Sequence, residues 1–95
     1  MILHIYAYKD ERIGAFKSPA YAPDEKEVII EQTARYAVLA KDEEKANLVF
    51  CSLYYLGDFD DKTGEIKPVA PEFLMSFTKE MLYGARDSRE EAKEA

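Results

Sequence analysis

The side chains that most often carry out catalysis are scarce in this sequence. His4 is the only histidine, and the alternating segment around it places it on the polar face of a strand. Cys51, the only cysteine, lies inside an apolar run, where a thiol is normally buried and inert. The chain has neither a Gly-x-Ser-x-Gly motif nor a glycine-rich phosphate loop. We therefore expect a protein that is not an enzyme, with no catalytic residue and no cofactor.

The acidic segment around residue 60 has the composition of a cation-binding loop without its spacing. If Asp58 opened an EF-hand loop, Lys62 would occupy a ligand position and Thr63 the position of the sharp turn, which requires glycine. A hairpin turn explains the same residues, because Asp60 or Asp61 can accept hydrogen bonds from nearby backbone amides. The sequence predicts a turn here and no metal site.

Aromatic and basic side chains are interleaved near the N-terminus. They are Tyr6, Tyr8, Lys9, Arg12, Phe16, Lys17 and Tyr21. Surfaces of this kind bind single-stranded nucleic acids, because bases stack on the rings while cations follow the phosphates. The alternative is that the rings belong to the hydrophobic core, since a domain without tryptophan needs tyrosine and phenylalanine for buried area.

These residues fall in a predicted β-hairpin. Residues 1–8 alternate between two faces, with Leu3, Ile5 and Ala7 on one and Tyr6 and Tyr8 on the other. Residues 9–12 form a polar break, and residues 13–20 form a second strand that ends or lies at an edge near a proline. A four-residue break between two strands is typical of a hairpin.

The middle of the chain predicts a helix and then a central strand. Asp24 and Glu27 have the spacing of a capping box, and helical periodicity continues to about Lys41. A polar connector over residues 42–47 leads to the run 48–56. Its aromatic and β-branched content favours a strand buried on much of both faces.

The last third predicts a short strand and a second helix. Residues 65–69 form a strand that Pro68 and Pro71 stop, and Pro71 suits the first position of a helix. The apolar face of this helix would comprise Phe73, Leu74, Phe77, Met81 and Leu82. Residues 85–95 form a polar tail that extends the helix or frays. The order ββαββα predicts one α+β domain over residues 1–84, with helices packed on a mostly antiparallel four-stranded sheet.

Length and composition describe a small acidic protein. The 95 residues are 47% hydrophobic and carry a net charge of −6. No apolar stretch approaches the roughly 18 residues of a membrane span, the N-terminus lacks the features of a secretory signal, and one cysteine excludes a disulfide scaffold. These features favour a cytoplasmic protein that does not bind membranes. Residues 1–23 carry a net charge of +1 and every later quarter is negative, so a polyanion site should include the N-terminal hairpin.

Two segments resemble a family of small phage proteins. Residues 53–64 read Leu-Tyr-x-Leu-Gly-x-Phe-Asp-Asp-x-Thr-Gly. This pattern is similar to the hallmark segment of the nonstructural, DNA-binding proteins of gokushovirus-type microviruses. The N-terminal segment is also similar to the opening pattern of that family. The matching residues are Tyr8, Asp10, Arg12, Phe16 and Pro19, and Lys9 is an extra residue between the first two. The matches span about residues 3–69, and the family's Arg-x-Phe early in the central helix has no counterpart here.

The resemblance implies a nonstructural protein, made in the cytoplasm of a bacterial host, that binds single-stranded DNA or assists synthesis of a single-stranded genome. The residues expected to contact DNA are Tyr6, Tyr8, Lys9, Arg12, Phe16, Lys17 and Tyr54. Because these supply few cations, we expect weak binding by a monomer, a shallow salt dependence and a homodimer that doubles the cation count. The expectation requires the hairpin to turn its rings and cations outward.

A protein of a different class is compatible with the same composition. An acidic module that binds a host or viral replication protein would use the net charge of −3 in residues 24–47 and apolar side chains of the second predicted helix. An enzyme would need a pocket that holds His4 beside a carboxylate. Exposed rings on a positive face would favour DNA, and an apolar groove rimmed by acids would favour a protein partner.

Overall fold

The computed structural model describes residues 1–84, which form an antiparallel sheet with three helices packed on it. The strands are β1 (Ile2–Asp10), β2 (Ala15–Phe16), β3 (Ala20–Ala22), β4 (Cys51–Asp60) and β5 (Ile66–Ser76). Helices α1 (Lys26–Leu39) and α2 (Asp42–Leu48) connect β3 to β4, and the described part of α3 covers residues 79–84. The predicted α+β class is confirmed. The predicted tail, residues 85–95, lies outside the described residues.

Strand β1 pairs along both of its edges. The strand order is β2-β1-β4-β5, and β3 pairs with the same edge of β1 as β2, so β1 and β4 are central. The predicted hairpin is present, but its second strand is divided into β2 and β3. The division falls at residues 17–19, where Pro19 has no N–H to donate. The sheet therefore has five strands where four were predicted. Among the described residues, no helix has the length and apolar content needed to cross a bilayer.

The main core lies between the sheet and the helices. It is built from Tyr6, Ala37, Leu48, Cys51, Leu53, Met75, Phe77 and Leu82, which come from both central strands, from β5 and its end, and from all three helices. Cys51 is buried, as its apolar surroundings predict, and this burial raises the pKa of its thiol. The helices therefore cover one side of the sheet.

Two predictions about the helical connection are wrong. Helix α1 has Glu25 at its N-cap without a side-chain cap bond, so the capping box of Asp24 and Glu27 does not form. The Asp24 carbonyl instead accepts a hydrogen bond of 2.8 Å from the Tyr6 hydroxyl, which anchors the segment before the helix to the sheet. Residues 42–47, predicted as a connector, belong to α2. The three acids of its first turn stabilise it through the helix dipole.

The predicted strand 65–69 and the helix expected from Pro71 are also wrong, because β5 is a continuous strand that includes both prolines. The register explains how the strand accommodates them. Gly57 pairs with Pro68 and Tyr55 with Glu72, so three β5 residues, 69–71, lie opposite the single residue Leu56. Such a bulge leaves Pro71 outside the regular hydrogen-bond ladder.

The acidic segment around residue 60 forms the predicted turn between β4 and β5. The Asp60 side chain accepts a hydrogen bond of 2.9 Å from the Lys62 amide, and its carbonyl accepts one of 2.8 Å from the Gly64 amide. Gly64 has a φ of 77°, which favours glycine. The Asp-Asp-x-Thr-Gly part of the motif thus encodes a hairpin turn.

Gly57 lies where the backbones of β4 and β5 approach each other closely. Its φ is 147°, and a Cβ atom there would lie 2.4 Å from the Lys67 carbonyl oxygen and 2.9 Å from Pro68 Cα. Both neighbours are backbone atoms of the paired strand, so neither can move without disturbing the sheet. The glycine of the motif is therefore required by backbone packing as well as by conformation.

Replacement of Gly57 by alanine should destabilise the protein more than the same change at Gly64. Gly57→Ala combines backbone strain with a steric clash, so we expect a loss of roughly 2–4 kcal/mol in the free energy of unfolding. Gly64→Ala introduces strain alone, since nothing lies within 4 Å of the added atom, and should cost about 1 kcal/mol. Urea denaturation of both variants tests this, and equal losses would contradict the role given to the close approach.

Candidate nucleic-acid interface

One side of the sheet carries no helix among residues 1–84, and we call it the open face. The alternation of β1 separates the two sides, because directly paired residues point the same way. Tyr8 pairs with Leu53 of the core, whereas Lys9 pairs with Ser52 and Phe16 on the other side. By this register the open face comprises Leu3, Ile5, Ala7, Lys9, Phe16, Tyr21, Ser52, Tyr54, Phe59, Ile66, Phe73 and Ser76. None of these side chains belongs to the main core.

Three rings of the open face form a row across the strands, which we call the aromatic row. Phe16 of β2, Tyr54 of β4 and Phe73 of β5 have successive ring centroids 5.3 and 5.8 Å apart. Both contacts are edge-to-face, a favourable geometry for aromatic pairs. Phe16 is 40% exposed and Phe73 is 55% exposed, so the row presents ring surface to solvent.

A cation lies over this row. The Lys9 ammonium nitrogen is 5.6 Å from the centroids of both Phe16 and Tyr54, within the range of cation–π attraction. It is also 3.9 Å from a carboxylate oxygen of Glu11, at the limit of an ion pair. Lys9 is therefore held near the rings, at the surface of the open face and beside an acidic residue.

A second aromatic pair shields the rest of β1 on this side. The rings of Tyr21 and Phe59 are 5.8 Å apart in edge-to-face contact. Ile5, which pairs with Tyr21, is only 7% exposed, and Ala7, which pairs with Tyr54, is 4% exposed. These apolar side chains of β1 are thus buried on the open face, where their direct cross-strand partners are aromatic.

The expectation that Tyr6 and Tyr8 point outward is wrong. Tyr6 is 4% exposed and belongs to the main core, and burial, with a smaller contribution from the Glu25 charge, raises its pKa to about 12. Tyr8 packs against the core and contacts Phe77 edge-to-face at 5.7 Å; burial also raises its pKa. Both rings lie beneath the helices, because the other side of β1 is already covered by aromatic partners.

The two remaining predicted cations lie away from the aromatic row. Arg12 follows the end of β1 and donates hydrogen bonds to both carboxylate oxygens of Asp10, at 3.1 and 2.8 Å. These bonds hold the pKa of Asp10 below its usual range. Lys17 is exposed and donates its amide to the Tyr8 carbonyl, so alternation places it on the helix side of the sheet.

Of the seven predicted site residues, the open face therefore unites Lys9, Phe16 and Tyr54. It adds Phe73, which the sequence pattern predicts to lie in a helix and which instead belongs to β5. The sequence signal for a strand around Phe73 is weak, because bulges at residues 69–71 and at Leu74 break the two-residue period of β5.

His4 lies on the helix side of the sheet, between two carboxylates. Its Nδ1 is 2.7 Å from Asp58 Oδ1, and its Nε2 is 3.5 Å from Glu25 Oε1. The Tyr55 hydroxyl donates a hydrogen bond of 2.6 Å to the same Asp58 oxygen. This bond raises the pKa of Tyr55 to about 12 and, with His4, lowers that of Asp58. The cluster ties β1 and β4 to the residue that precedes α1.

Charge is distributed unequally between the two sides of the sheet. The segment that carries α1 and α2 contains seven acidic residues: Asp24, Glu25, Glu27, Glu31, Asp42, Glu43 and Glu44. Among the residues that register assigns to the open face, Lys9 is the charged one, and the carboxylate of Glu11 lies 3.9 Å from its ammonium group. Residues 24–47 thus contribute −3 to the net charge of −6, so half of the net negative charge lies in the segment on the helix side.

Comparison with protein families gives a match over nearly all of the described residues. A family model described as phage ORF5 protein matches residues 3–80, a range that includes every residue of the open face. The chain is therefore a phage protein. It belongs to the phage ORF5 protein family. No curated protein and no solved structure matches it. The narrower resemblance to proteins of gokushovirus-type microviruses stays a prediction.

The raised pKa values of Tyr6 and Tyr55 predict a loss of stability in alkaline solution. Because the folded protein holds the phenolic protons of Tyr6 and Tyr55 to about pH 12, against the ordinary value of 10, the unfolded chain loses them first. The free energy of unfolding should thus be unaffected by these groups below pH 10 and should fall between pH 10 and 12. Urea midpoints at pH 8, 10 and 11 test this.

Tyr6→Phe provides the matched variant for this prediction, and Tyr21→Phe controls for removal of a surface hydroxyl. The decrease between pH 10 and 11 should be smaller in Tyr6→Phe than in the unmodified protein. An identical decrease in all three proteins would show that Tyr6 does not contribute to it.

Proposed function

We propose that this phage protein binds single-stranded DNA on the open face. In this proposal it is a nonstructural protein of the bacterial host cytoplasm that holds single strands or assists their synthesis. The observation that carries the proposal is the aromatic row of Phe16, Tyr54 and Phe73, exposed on a helix-free side of the sheet with Lys9 above it.

The geometry supports binding through bases more than through phosphates. Unpaired bases stack on exposed aromatic rings, and each stacked base contributes about 1–3 kcal/mol. The row crosses the sheet from β2 to β5, so a strand lying along it meets three rings in succession. A duplex would not engage them in the same way, because its bases are already stacked on one another. With Lys9 as the charged side chain of the face, few counterions are released and the salt dependence is shallow.

The net charge of −6 is compatible with this function because of where the acids lie. Seven of them belong to the segment that covers the opposite side of the sheet. A helix is about 10 Å wide, and electrostatic interactions in physiological salt decay over about 8 Å. Repulsion between those acids and DNA on the open face is therefore largely screened.

A homodimer forms part of the same proposal. One chain offers a short row of rings and one lysine on the open face, and a two-fold symmetric pair would offer twice that number. Binding to a longer oligonucleotide would then gain from both copies at once. No membrane component is involved.

The alternative function is the binding of a host or viral replication protein. Its expected apolar helix does not form, since Phe77 is 3% exposed in the core and Phe73 lies on β5. What favours a protein ligand is the largely apolar character of the open face, which would suit an extended peptide as well as bases. Catalysis is not part of either proposal.

Removal of one exposed ring should weaken binding to single-stranded DNA. Phe73→Ala should raise the dissociation constant for a fluorescent oligothymidine by about 5- to 100-fold, the effect of losing one stacked base. Tyr36→Ala is the matched control, because Tyr36 is an exposed aromatic residue of α1 on the opposite side. Fluorescence anisotropy at 50 and 200 mM salt measures both variants. Absence of binding by the unmodified protein at 50 mM salt would exclude DNA as the ligand and favour the protein-binding alternative.

Light scattering tests the homodimer. The free protein should have twice the mass of the 10.9 kDa chain, and the complex should contain two chains. A mass of one chain at all concentrations, with and without the oligonucleotide, would remove the dimer from the proposal and leave the DNA site to be tested separately.

A further inference from the structure

The Arg12 guanidinium lies over an aromatic ring at the end of the sheet. Its Cζ atom is 4.0 Å from the centroid of Phe50, the residue that precedes β4. The Glu11 amide donates a hydrogen bond of 2.9 Å to the Phe50 carbonyl, which continues the pairing of β1 with β4 by one more residue. The Arg12–Phe50 pair is therefore fixed to the end of the two central strands.

Asp10 holds the guanidinium in this position. Its carboxylate accepts hydrogen bonds from Arg12 Nε at 3.1 Å, from Nη2 at 2.8 Å and from the backbone amide at 3.0 Å. Asp10 itself is only 8% exposed. Nε and one N–H of Nη2, a pair of donors that could form a bidentate contact with a phosphate, are thus already engaged by a carboxylate. The Arg12 side chain nevertheless remains 51% exposed.

An open hollow of about 440 Å³ adjoins this pair. Its lining includes Glu11, Arg12 and Phe50 together with Ser52 and Ser76, two residues of the open face. The hollow thus joins the end of the open face to the exposed part of the guanidinium. Its volume lies in the range of sites that bind small ligands, and a planar guanidinium is a known stacking partner for nucleobases.

We infer that Arg12 is a base-stacking residue and not a phosphate ligand, and that this hollow receives one nucleobase of the bound strand. The inference rests on the proposed function, because it extends the DNA site of the open face by one position. Phe50 supports the guanidinium from below, Asp10 fixes its orientation, and the exposed Ser76 hydroxyl is available to the edge of the base.

Substitution of Arg12 by lysine distinguishes a base-stacking role from a phosphate-binding role. Lysine keeps the positive charge but lacks the planar guanidinium group on which a base could stack. Arg12→Lys should therefore weaken binding to oligothymidine as much as Arg12→Ala, by about 5- to 100-fold. Neither variant should change the slope of log K against log salt. Lys9→Ala is the comparison for a phosphate contact and should reduce that slope by about 1. Thermal unfolding of each variant establishes that it is folded, and Phe50→Leu, which leaves the Asp10–Arg12 pair intact, should weaken binding similarly.

Abasic oligonucleotides give a readout that a purely structural role would not change. Removal of bases should abolish the difference between the unmodified protein and Arg12→Lys. The inference is overturned if Arg12→Lys binds like the unmodified protein while Arg12→Ala reduces the salt slope, because Arg12 would then be a phosphate ligand. It is also overturned if all Arg12 and Phe50 variants bind normally. In both cases a defect in Phe73→Ala would leave the proposed function standing, whereas absence of binding by the unmodified protein would remove both.

Discussion

The register of β1 against β4 is the constraint on which the other features depend. Because side chains alternate along a strand, this register decides that Tyr6 enters the core and Lys9 does not. A slip of one residue would exchange the two faces of the sheet and bury the lysine. The bulge opposite the Ile5–Tyr6 step, the close packing at Gly57 and the hydrogen bond from Tyr6 to the segment before α1 all oppose such a slip.

The single connection from β3 to β4 gives the two sides of the sheet different chemistry. It carries α1, α2 and most of the acids of the helical layer, and it crosses only one side. The other side is left to rings, which bury Ile5 and Ala7 without a helix. Burial and the proposed binding would thus use the same aromatic residues, since a ring that shields β1 with one surface can offer another to a ligand.

Much of this fold could be predicted from the sequence, but the orientation of its first strand could not. The hairpin, the central strand and the Asp60–Gly64 turn follow from alternation, apolar content and turn chemistry. Tyrosine is amphipathic, however, and alternation alone does not say which face of β1 meets the helices. The interior of β5 was missed because prolines normally end strands, and α2 because a short polar helix has no strong periodicity. The first error hid Phe73, a ring of the candidate site, and the second hid that Asp42, Glu43 and Glu44 belong to a helix.

The prolines of β5 have a consequence for the colloidal behaviour of the protein. A sheet that exposes rings on one face and a long strand beside β4 has the ingredients of fibrillar self-association. Pro68 and Pro71 each remove a donor from that strand, and the bulge next to them bends it. This part of β5 therefore pairs poorly with a strand of a neighbouring chain. The open face can expose aromatic rings without the edge of the sheet extending into a fibril.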